Sequence, residues 1–518
     1  SARLFAILLL AGSLVIAAAS LYRSDRRPGY YPLLATLLLS IPALLRSTTS
    51  LEFFFSWEII ALASCFLIAM ARGAGPHVLT FLLFSLFSAF FLLAGFATVA
   101  SRTGTTDLLA LAARGPEVTL AFALLAVGFL VKAGVLGAHV WLPGAYAEAD
   151  DDFSAMLSGV ISKVAMFGLL IGAYVAVRSE ASLDVARVVA WVGMATTIGG
   201  AVLALGEDDF KRLLACSSMS QLGYIIVAVA LMSHLGWVTA LYLVANHMMV
   251  KGVLFLAVAG IVLRTGARSF SDIGGLRRTM PVTFATVVIA VVAMSGLPPL
   301  MGFGGKWLLL NAMGEKGWTF LAIATLVATF LGFLYMIRLV SGLFLGAPRT
   351  AQPAGGEAPI ALLAPQFVLI AGMLVLSFFP KLLMDPVAAA IDPQFASTLV
   401  WQGKSLEAIY DYWNPTPVMF AALAASVALF AVAWLLHRGG RLTPFTLDHF
   451  FAYWRGVITQ MVPRVATRFW QGIADGARAT AGVTRLVYTG DGQTYALYVL
   501  LYFLALYLAS VGLGSRLI

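Results

Sequence analysis

Residues 126–168 read AVGFLVKAGVLGAHVWLPGAYAEADDDFSAMLSGVISKVAMFG, a stretch apolar enough to lie inside a bilayer that nonetheless carries Lys132, His139 and Lys163. A lysine at the centre of a membrane helix costs roughly 2.5–3.5 kcal/mol on insertion scales. Such residues face a protein interior or a wet cavity, and they mark ion paths. Gly134, Gly137, Pro143 and Gly144 follow the first lysine and predict a helix that breaks partway through the membrane. Irregular backbone at that depth is tolerated where it lines a cavity. The stretch has the design of a transport element.

The rest of the chain sets that element in an all-α polytopic membrane protein. Of 518 residues 61% are hydrophobic and 11% charged, with a mean hydropathy of +0.93, a composition that a water-soluble fold does not carry. The net charge of +9 is a topology signal here, not a sign of nucleic-acid binding. Cys65 and Cys216 are the only cysteines. Two cannot hold an iron–sulfur cluster, so neither a metal nor a cofactor site is expected in this chain. Apolar windows predict about fourteen spans, at 4–22, 31–46, 51–71, 77–101, 118–144, 154–178, 186–205, 212–233, 237–263, 281–313, 317–346, 359–380, 415–437 and 492–513. Taken in alternation, the loops with Arg23, Arg26, Arg27, Lys211, Arg212, Arg264, Arg268, Arg277 and Arg278 form the richer basic side. That side is expected to be cytoplasmic, in a bacterial or archaeal cytoplasmic membrane, with both termini outside.

Further buried charge recurs at intervals. Glu58, in LEFFFSWEIIALASCFL, is best read as the partner of a buried lysine, since carboxylate and ammonium offset each other's desolvation. The bland alternative is a residue near a helix end reaching headgroups. Lys211, in GEDDFKRLLACSSMSQLGYII, belongs either to a charged loop at the membrane edge or to a channel mouth. In NHMMVKGVLFL, His247 and Lys251 stand four apart on one helix face. Histidine suits a relay because its ordinary pKa lies near neutrality. SGLPPLMGFGGKWLLL then repeats the opening design, with Pro298 and Pro299 breaking a segment ahead of Lys306. A proline kink with a snorkelling lysine explains one such helix but explains two poorly. Two interrupted helices in corresponding stretches, 30–180 and 185–346, point to two inverted repeats, each a half-channel, with a path between them. One helix precedes them in 1–29, and additional spans fill 347–445.

Residues 446–487 are too polar to cross the membrane. Phe450, Trp454, Ile458, Met461, Val465, Phe469 and Ile473 fall at three- and four-residue spacing, with arginines elsewhere. They predict a long amphipathic lateral helix on the cytoplasmic side, able to reach roughly 60 Å, followed by a final span in 488–518. Such a helix reads either as a strut to neighbouring membrane subunits or as a surface anchor of its own bundle.

Together FFFSWE, GFLVKAGVLGAHVWLPGAYAEA, SGVISK, DDFKRLLACSSMSQLGY, NHMMVKGVLFL and SGLPPLMGFGGKW resemble the antiporter-like subunits of respiratory complex I, shared with Mrp-type cation/proton antiporters and membrane-bound hydrogenases. The lateral helix with its final span resembles the distal, largest-subunit type. The resemblance implies a glutamate–lysine pair of Glu58 and Lys132, a polar axis through Lys163, His247 and Lys251, and a terminal lysine at Lys306, with His139 and Lys211 as supporting groups. It implies a proton-translocating subunit of a redox-driven complex, with electrons handled by other subunits. A sodium/proton antiporter subunit and a membrane partner that powers a cytoplasmic protein, as in inorganic-carbon uptake, are the alternatives. The family pattern carries two further spans ahead of the one that opens this sequence. AEADDDFSA stands where many complex I members have a proline-containing turn, which leaves a hydrogenase-type or other non-quinone relative open.

Overall fold

The structure, a computed structural model, describes residues 2–391 apart from 24, 26, 72, 109–115, 178–179 and 346–355. Beyond 391 it describes 399–402, 405–407, 412–413, 453–460 and isolated positions between 417 and 479. Residues 1–454 form one compact unit and 455–518 a second.

The first unit is a helical bundle. It runs α1 (Ala2–Ala18), α2 (Tyr30–Leu45), α3 (Ser50–Ala69), α4 (Gly75–Thr103), α5 (Pro116–Ala133), α6 (Trp141–Glu148), α7 (Asp151–Met156) and α8 (Ser162–Ala176). A π-helical turn, Leu157–Ile161, joins the last two. There follow α9 (Glu180–Gly206), α10 (Phe210–Ala230), α11 (His234–Thr265), α12 (Pro281–Ser295), α13 (Met301–Glu315), α14 (Thr319–Phe344), α15 (Ile360–Phe378) and α16 (Lys381–Ala390). Three short antiparallel strands, Val400–Gln402, Ser405–Glu407 and Tyr412–Trp413, lie beyond. Among the described residues nine helices are long and apolar enough to cross a membrane, and three shorter apolar ones accompany them. Twelve of the fourteen expected spans fall on these. The windows at 415–437 and 492–513 lie mostly or wholly outside the described residues. So does most of the expected lateral helix 446–487, of which 453–460 is helical.

Burial grades from the inside out. The apolar window of α10 is 100% buried, whereas those of α4 and α14 are 33% buried and present Phe87, Phe90, Phe320 and Phe330 outward. An apolar exterior around a small-residue interior is the arrangement a bilayer favours. The interior packs closely because α9 and α10 meet through glycines. A Cβ on Gly223 would stand 2.1 Å from Thr197 Oγ1 and 2.4 Å from the Gly193 carbonyl oxygen.

Three irregularities interrupt the bundle. After Lys132 the chain leaves α5 through Gly134 at φ +72°. The Gly134 and Val135 amides bond back to the carbonyls of Val131 and Leu130 (3.1 and 3.2 Å), a Schellman closure. Trp141 Nε1 also donates to the Val131 carbonyl (3.2 Å), and the Leu136 amide donates to Thr196 Oγ1 (3.1 Å), so the break leaves little unsatisfied. Pro143 is not part of it. The proline falls in the first turn of α6, where its missing N–H costs nothing. Pro298 and Pro299 do lie in a break, between α12 and α13. The third irregularity is the π-turn.

At the arginine-rich face, ion pairs tie these pieces together. Arg268 holds Glu148 at the end of α6 through both guanidinium nitrogens (2.9 and 3.1 Å), and also Asp209 (2.9 Å). Asp209 in turn caps α10 by accepting from the amides of Lys211 and Arg212 (2.8 and 3.0 Å). The hydrogen bonds from Arg268 hold the Glu148 carboxyl below the usual carboxylate range. Lys211, only 3% exposed, donates to Asp151 (2.7 Å) and to the Ala149 carbonyl (3.0 Å). Each aspartate of the Asp150–Asp152 run has its own partner: Arg23 (3.5 Å), Lys211, and the Tyr30 hydroxyl (2.5 Å). Substituting Asp151→Asn leaves Lys211 facing a neutral group. It is expected to lower stability by about 1–3 kcal/mol, read as a lower temperature of half-aggregation in detergent. An unchanged temperature would show that the pair does not hold α7 to α10.

Candidate functional site

The four interior lysines follow one rule. Each ammonium lies against oxygen supplied by a hydroxyl or a main-chain carbonyl, and none is in an ion pair with a carboxylate among the described residues. Lys132, in the last turn of α5, donates to Ser85 Oγ on α4 (2.7 Å) and lies 4.2 Å above the Phe81 ring. Glu58 on α3 is close enough for its charge to act on Lys132, but the two are not in contact. Glu58 Oε1 is buried with no hydrogen bond among the described residues. Between the helices stands an aromatic cluster, Trp57 and Phe53 against Phe129. The direct pair expected from the sequence is thus an attraction across a gap.

The centre is more closely built. Lys163, with 0% exposure, donates to the Ser158 carbonyl (2.6 Å) and to Ser162 Oγ (2.9 Å) and meets His247 Nδ1 at 2.5 Å. Ser158 belongs to the π-helical turn, where the ladder is widened by one residue, and its carbonyl accepts from both Lys163 and Ser162. At this distance one nitrogen donates and the other accepts, so the two are hydrogen-bonded to each other. His247 Nε2 is buried without a partner among the described residues. Ser158 Oγ meets Ser218 Oγ (2.7 Å). Ser218 also donates to the Leu214 carbonyl (2.8 Å), which accepts from Lys251 Nζ (2.8 Å). Lys251 Nζ further meets Ser217 Oγ at 2.5 Å. Lys163, His247 and Lys251 therefore belong to one hydrogen-bonded cluster spanning the π-turn, α10 and α11.

Lys306 closes the series. Its Nζ donates to the Ser295 carbonyl (2.9 Å) at the end of α12 and lies 5.1 Å from the Tyr224 ring. The C-terminus of a helix is the negative end of its dipole, so it suits a cation. Gly296, at φ +76°, gives the lysine room, since a Cβ there would stand 2.5 Å from Lys306 Cδ. No direct contact joins Lys251 to Lys306. Ser217, Gln221 and Tyr224 lie along one stripe of α10 between them, roughly 10 Å at 1.5 Å per residue. Nor does a direct contact join Lys132 to Lys163. His139 lies in the first break, half-buried, its Nδ1 accepting from the Gly137 amide (3.2 Å), a local turn contact. Lys211 is in the ion-paired cluster at the face.

Sequence reasoning passed over the serines. Ser85, Ser158, Ser162, Ser217 and Ser295 are what the lysines touch, and SGVISK and CSSMSQ already held Ser158, Ser162 and Ser217 within apolar runs. Among the described residues no cluster of His, Cys, Asp and Glu could hold a metal ion.

These residues fall inside a recognised sequence family. The family model described as NADH:quinone oxidoreductase/Mrp antiporter, TM, matches residues 47–332, more than half the chain. NADH-quinone oxidoreductase subunit N of Desulforudis audaxviator is 31% identical over 351 residues, 64% of this chain and 70% of that protein. Formate hydrogenlyase subunit 3 of Escherichia coli is 30% identical over 295 residues, 52% of this chain and 48% of that protein. Among solved structures, a chain of the membrane-bound sulfane sulfur reductase, an archaeal respiratory membrane complex, superposes with a TM-score of 0.81 at 25% identity, covering 98% of this chain and 88% of its own. A chain of the Mrp complex from Dietzia sp. superposes at 0.70 with 26% identity, covering 75% and 83%. The chain belongs to the antiporter-like transmembrane family shared by NADH:quinone oxidoreductases and Mrp antiporters.

Proposed function

We propose that this chain is a proton-translocating subunit of a redox-driven membrane complex, moving protons along buried Lys, Glu and His side chains. The observation that carries the reading is the Lys163–His247 contact, joined through serines to Lys251 and flanked by Lys132 and Lys306 at two broken helices. A neutral amine or imidazole can receive a proton, and the cation so formed can pass it on. The same groups repel a sodium ion when charged and offer it few oxygens, so the path suits protons. Likeness over nearly the whole chain to a subunit of a respiratory complex favours a redox-driven assembly. Electron transfer then belongs to partner subunits, and the lateral helix 446–487, on the cytoplasmic side, reaches toward membrane neighbours.

In this mechanism the Glu58–Lys132 gap is the adjustable element. A carboxylate drawn toward the ammonium steadies its proton, and drawn away it loosens that hold. A conformational change in a neighbouring subunit that moves α3 against α5 would release a proton toward the central cluster, and from there toward Lys306. Moving one charge against 100 mV takes about 2.3 kcal/mol, which the redox reaction supplies.

Lys132→Ala is expected to abolish proton movement in proteoliposomes holding the intact complex, while the subunit still assembles. Lys132→Arg should also transport poorly, because arginine does not release its proton. Wild-type pumping by the Ala variant would remove Lys132 from the path. Glu58→Gln is expected to slow pumping with little loss of stability. Combined with Lys132→Gln in a double-mutant cycle, it should depart from additivity by more than about 0.5 kcal/mol. Strict additivity would separate the two residues.

A further inference from the structure

His77, which plays no part in the path above, stands in the first turn of α4 with its imidazole against the broken-helix segment α6. The contact is built around a glycine. A Cβ on Gly144 would lie 2.1 Å from His77 Nδ1 and 2.6 Å from its Cε1, so only glycine at 144 lets the ring sit there. Glycine inside a helix costs about 1 kcal/mol relative to alanine, and seating the imidazole gives it a reason. One turn along α6, Glu148 interacts electrostatically with His77. Glu148 also lines a cavity of about 320 Å³ at the arginine-rich face, together with Arg23, Asp150, Asp151, Lys211 and Arg268.

In the other direction, Phe81 and Ser85 follow His77 along α4 at four-residue steps, one stripe of the helix. They are the two groups that hold the Lys132 ammonium. The imidazole is thus placed between a polar cavity open to one face and the first buried lysine. One helical turn, roughly 5.4 Å, separates its level from that of the Phe81 ring beneath Lys132. Imidazole accepts a proton on one nitrogen while donating from the other. No other histidine of the first repeat shares that stripe. His139 is turned to its own loop.

We propose that His77 carries the proton between this face cavity and Lys132, with the Glu148 carboxylate, held ionised by Arg268, steadying the charged imidazole from the cavity wall. The proposal rests on the proton-path reading and adds its portal. In the step itself one imidazole nitrogen takes a proton from the cavity, and the other nitrogen releases its proton toward the neutral Lys132 amine across the turn that separates them.

The test uses the intact complex in liposomes with a pH-reporting dye. His77→Gln, which fills a similar space without titrating, is expected to slow proton movement by about tenfold or more with normal assembly. His77→Ala should show the same loss and regain a measurable part of it when imidazole is added to the medium, whereas Lys132→Ala should not respond to imidazole. Gly144→Ala, which displaces the ring, should reproduce the His77→Gln defect. If His77→Gln pumps at the wild-type rate while Lys132→Ala is inactive, the His77 assignment is wrong and the lysine path stands. A loss in His77→Ala that imidazole leaves untouched assigns the ring to packing and overturns the proposal too. Normal pumping by Lys132→Ala would instead sink the underlying path. Should His77→Ala fail to assemble, the His77→Gln rate decides.

Discussion

An ammonium group inside an apolar bundle must find oxygen, and a regular α-helix has little to spare because its carbonyls are already engaged in the ladder. That constraint ties the buried charge of this protein to the places where its helices fail. Lys306 takes the carbonyl of Ser295 where α12 stops. Lys163 takes the carbonyl of Ser158 in the π-turn. Lys132 sits in the last turn of α5, ahead of the Gly134 closure, and reaches across to a serine. Lys251 alone of the four takes a carbonyl from within a regular helix, and there the Leu214 carbonyl is shared with Ser217 and Ser218. The breaks and the lysines are one feature seen from two sides.

The choice of partner separates the interior from the face. A carboxylate beside an ammonium or guanidinium adds the direct attraction of opposite charges, which a neutral hydroxyl or carbonyl does not supply. At the face, Lys211–Asp151 and Arg268–Glu148 are full ion pairs, and they fix α6 and α7 to α10. Inside, the lysines rest on neutral hydroxyls and carbonyls, which hold an ammonium without committing it. A locked rim around a weakly held interior lets charge change within the bundle without pulling its ends apart.

Much of this was legible in the sequence because membrane burial makes charge conspicuous. Lys132, Lys163, His247, Lys251 and Lys306 stood out from apolar runs, and glycine and proline marked both breaks. What the sequence could not convey was which groups meet. Glu58 and Lys132 looked like a direct pair, but Trp57 and Phe129 occupy the space between their helices, a packing fact with no local signature. Pro143 looked like a helix breaker because a proline at a first turn and one in a break are identical in one dimension. His77, at the first position of the span expected over 77–101, carried no signal of its own. Its significance depends on Gly144, sixty-seven positions away, and only the fold brings the two together.

Two gaps remain in the polar series, and they bear on how passage is controlled. One turn before Lys132, Phe129 packs so closely on Gly168 of α8 that a Cβ there would lie 2.1 Å from its ring. Between Lys251 and Lys306 stands the α10 stripe that ends at Tyr224, whose ring lies beneath the second lysine. Lys163 and His247 meet at contact distance, so a positive charge on both would be opposed by repulsion there. In the proposed path, a second proton arriving at the centre would displace the first toward Lys251. In the proposed path, a centre that accommodates one charge at a time calls for stepwise transfer rather than continuous conduction. Control would then lie in the gaps, where small helix movements decide whether the next lysine is within reach.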